Sequence, residues 1–249
     1  MRASDLKPAA IAVRLGDRPR DDELDLFGLT HRGLVRRDNQ DHFLLATVHR
    51  QVLIHGTSLP AAEALPLRGE RLATLLLVAD GVGGGPAGDE ASRVAIEAIT
   101  RYAASTLRCY HAAGTDAEGE LLGGLREAAL EAHAAVLADA AGNPDHAGMA
   151  TTLTLALAVW PWAYVVQVGD SRCYCFRGGS LSQVTRDQTV AQDLVDHGVL
   201  EAEHALDSPF GHVLASAIGG PEAAPVVTRV DIRERGTVII LCSDGLTKH

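Results

Sequence analysis

The sequence lacks the features that would place this chain in a membrane, on nucleic acid or around a zinc ion. None of its apolar runs approaches the ~20 residues that a bilayer-spanning helix needs. The opening stretch, MRASDLKPAAIAVRLGDRPRDDELD, holds no apolar segment long enough for a secretory signal. Its mixed charges read as a loose leader over residues 1–24, ahead of a fold that covers 25–249. Lysine and arginine number 22 against 32 aspartates and glutamates, a formal net charge of −10. With no basic stripe, that balance argues against nucleic acid and anionic membrane as main partners. The four cysteines (Cys109, Cys173, Cys175 and Cys242) form no C-x-x-C pair of the zinc type. Cys173 and Cys175 would share one face of a strand, and the group reads as buried thiols of a cytoplasmic protein. The 11 histidines show no H-E-x-x-H or similar pairing, so structural or surface roles are their default. No internal repeat or low-complexity tract is found.

What is present is a chain 47% hydrophobic, enough for one large core. Period and β-branched content predict strands near 25–30, 41–48, 51–55 and 72–79, then helices near 88–108 and 120–140. Strands follow near 151–160, 162–168 and 172–177, then a helix near 188–197 and strands near 226–232 and 237–242. Hairpin turns are expected at Pro161-Trp162 and Gly178-Gly179. The segment 49–71 reads as a surface excursion, and 201–225 as a long loop with little periodicity. Strands come in runs around two consecutive helices, without regular β-α-β alternation. That order predicts an α+β fold of two stacked, mainly antiparallel sheets with helices outside.

The stretch LLLVADGVGGGPAGDEAS, residues 75–92, contains a literal G-x-G-x-x-G match at Gly83–Gly88. A dinucleotide site needs a second parallel strand and an acidic residue about 20 positions on. Here the helix after the glycines runs into another helix, and no G-K-[ST] follows, so a P-loop is excluded as well. The aspartate before the glycines has more company. A β-rich run ends in an acidic turn at Asp80, again at Val168-Gly169-Asp170-Ser171 and again at Cys242-Ser243-Asp244-Gly245, and Asp41 opens a further apolar segment. One Asp-Gly after a strand is an ordinary turn. Three such strand ends suggest carboxylates converging on one edge of stacked sheets, where they would repel unless divalent cations lay between them. Hard oxygen ligands without nearby His or Cys suit Mg²⁺ or Mn²⁺.

The segments G33-L-V-R-R-D-N-Q-D41, V78-A-D-G-V-G-G-G-P-A-G-D-E-A-S92, G148-M-A-T-T152, G169-D-S-R172, T185-R-D-Q188 and C242-S-D-G245 occur in a familiar order. Together they resemble the metal-dependent serine/threonine protein phosphatases of type 2C, in their compact bacterial form. The resemblance covers roughly residues 25–249. It implies that Asp80 bridges two Mn²⁺ or Mg²⁺ ions and that the Gly81 carbonyl reaches one of them. Asp41 would bind the second ion, largely through water. Asp244 would ligate the first, and Asp170 with Asp244 a weaker third. Arg36 would grip the substrate phosphate. Phosphorylated proteins, with a Ser/Thr kinase and its substrates, are the implied partners. Asp187 is expected to cap the helix that follows it, and Thr151 and Thr152 to be packing and strand-start residues.

Two departures from the family pattern stand out. Relatives often carry a histidine in the glycine loop, where this chain has Val82 and Gly85, so an imidazole able to protonate the leaving alkoxide is absent from that loop. Family members also continue past S-D-G-L-T to an Asp-Asn pair whose aspartate ligates the first metal, whereas this sequence ends at Lys248-His249. Weakened first-metal binding and impaired turnover are therefore expected. The alternative is a non-catalytic relative that binds phosphoproteins or regulates a kinase.

Overall fold

A computed structural model describes residues 17–51, 68–82, 86–105, 117–205 and 207–247. Two long strands open the fold, β1 (Asp41–Gln51) and β2 (Arg68–Val82), followed by helices α1 (Pro86–Ser105) and α2 (Ala117–Gly142). Then come β3 (Ala150–Thr151), β4 (Leu153–Val159), β5 (Trp162–Val168), β6 (Arg172–Arg177) and β7 (Ser180–Gln183). A short helix, α3 (Val190–Asp196), leads to β8 (Val226–Asp231) and β9 (Val238–Cys242). The large sheet has the order β1-β2-β4-β5-β8 with β3 paired to β2, and the small sheet is β7-β6-β9. All of these pairings are antiparallel, as the strand runs predict.

The helices follow from spacing. In α1, Ala91, Val94, Ala95, Ala98 and Ile99 are buried at helical intervals, and proline occupies the first position, where no N–H partner is lost. In α2, Leu121, Leu125, Ala128, Ala129, Ala132 and Val136 form the buried stripe. Both stripes join Leu75, Leu77, Leu153, Leu155, Leu157 and Val166 of the large sheet in one core. The opposite face of that sheet meets the small one, where Ala156, Val165 and Cys173 are buried against Leu76, Ile239 and Leu241. β4 and β5 are therefore covered on both sides and read as continuous apolar runs. β6 alternates in burial, with Cys173 and Cys175 inward as free thiols. The Gly178-Gly179 turn has φ of +57° and +81°, the left-handed pair that a tight β6–β7 hairpin requires.

Several expectations are corrected. Residues 25–30 form no strand. Strand propensity needs an edge to pair with, and this segment instead crosses Phe43, leaving Phe27 81% and Leu29 77% exposed. A Cβ on Gly28 would lie 2.3 Å from the Phe43 ring, so glycine sets this close approach. The excursion at 49–71 is shorter than expected, because β1 reaches Gln51 and β2 begins at Arg68. The predicted strand at 51–55 lies, apart from Gln51, outside the described residues. So do residues 1–16 of the leader, whereas the backbone carbonyl of Pro19 already accepts from Arg71 Nη2 at 2.8 Å.

Candidate metal centre

The four aspartates reach one place by four routes. Asp41 is the first residue of β1 and stands directly opposite Asp80, near the end of β2. Asp170 occupies the bend between β5 and β6, and Asp244 opens the 3-10 turn after β9. All four line a single cleft of about 1050 Å³, with Gly81 and Arg36 also in its wall. Ser243, beside Asp244, donates its hydroxyl to Asp41 Oδ2 at 2.6 Å and so joins the end of β9 to the start of β1.

Like charges directly opposite in a sheet are destabilising, and this pair is also partly withdrawn from water. The Asp80 carboxyl is pushed up to about 8. Burial is the largest cause, followed by the charges of Asp41 and Asp244, a side-chain hydrogen bond with Asp41, and the charge of Asp170. Four oxygen-rich acids that cannot all ionise together are the donor set expected for hard divalent cations. The residues therefore fit a Mg²⁺ or Mn²⁺ centre.

Asp80 is held by its backbone. Its N–H donates to Thr152 Oγ1 at 3.0 Å, and its carbonyl accepts from Thr152 N at 2.9 Å and from Thr151 Oγ1 at 2.9 Å. Thr152 Oγ1 also shares a 2.7 Å hydrogen bond with Ser171 Oγ, next to Asp170. The two threonines are buried as expected, but neither starts a strand: Thr151 ends β3 and Thr152 is the link to β4, and together they fix the spacing between two of the acids. Thr152→Val keeps the shape but leaves the Asp80 N–H unmet. It is expected to cost about 1–3 kcal/mol, read as a lower urea midpoint at unchanged slope, with Thr152→Ser close to wild type.

Gly81 has a different constraint. A Cβ there would sit 2.1 Å from the carbonyl oxygen of Gly88, so glycine lets the first turn of α1 close onto the end of β2. The glycine match at Gly83–Gly88 thus leads into a helix packed on the strand, and the next element among the described residues is α2. Gly83–Gly85 lie outside the described residues.

Arg36 is exposed on the loop before β1. That loop is pinned by Asn39, whose Nδ2 donates to Thr30 Oγ1 at 2.7 Å and whose Oδ1 accepts from Asp41 N at 3.2 Å. Three histidines, His31, His42 and His212, also line the cleft. Their wide separation in sequence gave no signal of this. The His42 ring lies 3.0 Å from Ser92 Oγ.

Asp187 is not the cap of α3. That role belongs to Thr189, whose side chain accepts from Gln192 N. Asp187 takes two bonds from Arg172, Nε to Oδ1 at 2.8 Å and Nη2 to Oδ2 at 2.7 Å. The competing partner was 15 residues upstream, beyond the reach of a local capping rule. A second ligand-like group, Glu90, Asp139 and His146, lies between the helices. Its members pair with protein groups instead. Arg93 Nε donates to Glu90 at 2.9 Å, and the His146 nitrogens face Asp139 at 2.5 Å and Asn143 at 3.1 Å.

Residues 61–249 match the family model described as Protein phosphatase 2C. The chain belongs to the protein phosphatase 2C family. A serine/threonine protein phosphatase, PstP of Mycobacterium tuberculosis (strain CDC 1551 / Oshkosh), is 37% identical over 175 residues, covering 70% of this chain and 32% of that protein. This member thus spans about a third of the length of that relative. The serine/threonine phosphatase stp of Listeria welshimeri is 31% identical over 173 residues, covering 70% of this chain and 66% of that one. Among solved structures, the catalytic domain of PstP in complex with 2 manganese ions superposes with a TM-score of 0.63 at 33% identity, covering 88% of this chain and 77% of that chain. The two antiparallel sheets and the outer helices are those of the type 2C fold. No helix among the described residues is long and apolar enough to cross a membrane.

Proposed function

We propose that this chain hydrolyses phosphoserine and phosphothreonine monoesters in proteins at a binuclear Mn²⁺ or Mg²⁺ centre. The observation that carries the reading is the gathering of Asp41, Asp80, Asp170 and Asp244 in one cleft, with Asp80 pushed up to about 8 by burial and by the other three. When bound, the divalent ions supply the Lewis acidity that activates water and offsets the charge of the phosphate. Asp80 and the Gly81 carbonyl would hold the ions together with Asp41 and Asp244, and Asp170 with Asp244 would offer a weaker third position.

Arg36 supplies the phosphate grip. Its planar fork matches two phosphate oxygens and orients the ester for in-line attack by water. The natural partners are phosphorylated proteins, with a Ser/Thr kinase acting on the same substrates in the cytoplasm. The test is hydrolysis of a phosphothreonine peptide. Activity should appear with Mn²⁺ and disappear with EDTA. Hydrolysis that EDTA leaves intact sinks the reading.

A further inference from the structure

The T-R-D-Q segment, which a local reading assigns to helix capping, does something else to the centre. The last paired residues of β6 and β9 are Arg172 and Cys242. Asp170 lies two residues before one and Asp244 two residues after the other, so Arg172 stands one strand repeat from two of the four acids. A guanidinium at that strand position is a built-in competitor for a metal, because it can pair with the same carboxylates. The structure turns it away. Asp187 takes Nε and Nη2 in a bidentate pair, and the third nitrogen, Nη1, donates to Tyr174 Oη at 3.1 Å. The Arg172 and Asp187 side chains are only 15% and 9% exposed. Gln183 Nε2 holds Asp187 Oδ1 from behind at 3.4 Å.

The next residue clamps the other side of Asp170. Gln188 Oε1 accepts from Gly169 N at 2.8 Å, and Gln188 N donates to Gly169 O at 3.1 Å. Gly169 has φ of +99° and packs where a Cβ would lie 2.8 Å from Thr152 Cγ2, so the bend has little freedom. The residues flanking Asp170 are thus fixed from one short segment.

We propose that Asp187 is a positioning residue of the metal centre: it sequesters the Arg172 guanidinium and thereby keeps Asp170 and Asp244 available to divalent cations. The proposal rests on the metal-centre reading above. It differs from a purely structural role in one respect, because the harm done by losing Asp187 comes from the released charge and is undone by removing that charge.

Calorimetric titration of the full chain with Mn²⁺ tests this without relying on turnover. Asp187→Asn should raise the Mn²⁺ concentration for half-saturation of the weakest binding step by about tenfold or more, since an opposite charge nearby stabilises a carboxylate by a comparable factor. Adding Arg172→Gln to Asp187→Asn should return the affinity to within about threefold of wild type. Equal weakening in the single and double variants, or unchanged affinity in a folded Asp187→Asn chain, overturns the proposal. If Asp187→Asn fails to fold, Arg172→Gln alone decides: it should bind Mn²⁺ at least as tightly as wild type, and weaker binding overturns the proposal. A wild-type chain that takes up no Mn²⁺ contradicts the metal-centre reading itself, and the proposal with it.

Discussion

Asp80→Asn is expected to make the metal-free protein more stable at pH 8 while abolishing its response to Mn²⁺. The sign follows from where the proton sits. An unfolded aspartate loses its proton near 4, whereas folded Asp80 keeps it up to about 8. Between those values the folded state binds the extra proton, so this group lowers stability as pH rises across the window. The burden in the metal-free wild type is on the order of a few kcal/mol at pH 8 and close to absent at pH 4. Asparagine is neutral throughout and removes it. Denaturant titrations in EDTA at pH 4 and pH 8 should show the variant pulling ahead of wild type only at the higher pH.

With Mn²⁺ the order reverses. Ligand at a hundred times its dissociation constant adds about 2.7 kcal/mol to a protein that binds it, and the variant should gain almost none of this. Phosphopeptide hydrolysis should fall roughly a thousandfold or more, as expected when several kcal/mol of charge stabilisation is lost. A variant that keeps the Mn²⁺-induced shift would separate Asp80 from the metal centre.

Arg36→Ala is expected to give the second large effect, and to leave metal uptake alone. Charge-assisted hydrogen bonds contribute about 1.5–3 kcal/mol, so kcat/KM for a phosphothreonine peptide should drop roughly 10- to 150-fold. Arg36→Lys should recover only part of this, because a point charge does not reproduce a two-pronged contact. The pinning of the loop by Thr30, Asn39 and Asp41 does not involve the Arg36 side chain. The fold and Mn²⁺ binding should therefore survive, and a loss of Mn²⁺ binding in place of kcat/KM would contradict the assignment.

Much of this arrangement is legible in the sequence because it is local. Strand-ending aspartates, glycines at close approaches and the helical stripes of α1 and α2 are all written within a few residues. Helix α2 and strands β5 and β6 follow from apolar spacing and β-branched content alone. What fails to read is what depends on distant partners. The 25–30 segment has strand propensity, yet takes a course across Phe43 that no local pattern announces. Asp187 has capping chemistry, yet an arginine from another strand claims it. Thr152 looks like a strand start, while its hydroxyl ties Asp80 to Ser171. The three cleft histidines come from separate loops and strands. For each of these the deciding partner is fixed only by the packing of the sheets.

The most direct test of the account is the number of Mn²⁺ ions bound per wild-type chain at pH 7, measured together with the protons released. Two bound ions are predicted, with a net release of protons, because Asp80 remains protonated below about 8 until a cation displaces the proton. Failure to bind Mn²⁺ at millimolar concentration, or binding that is unchanged by Asp80→Asn and releases no proton, would contradict it.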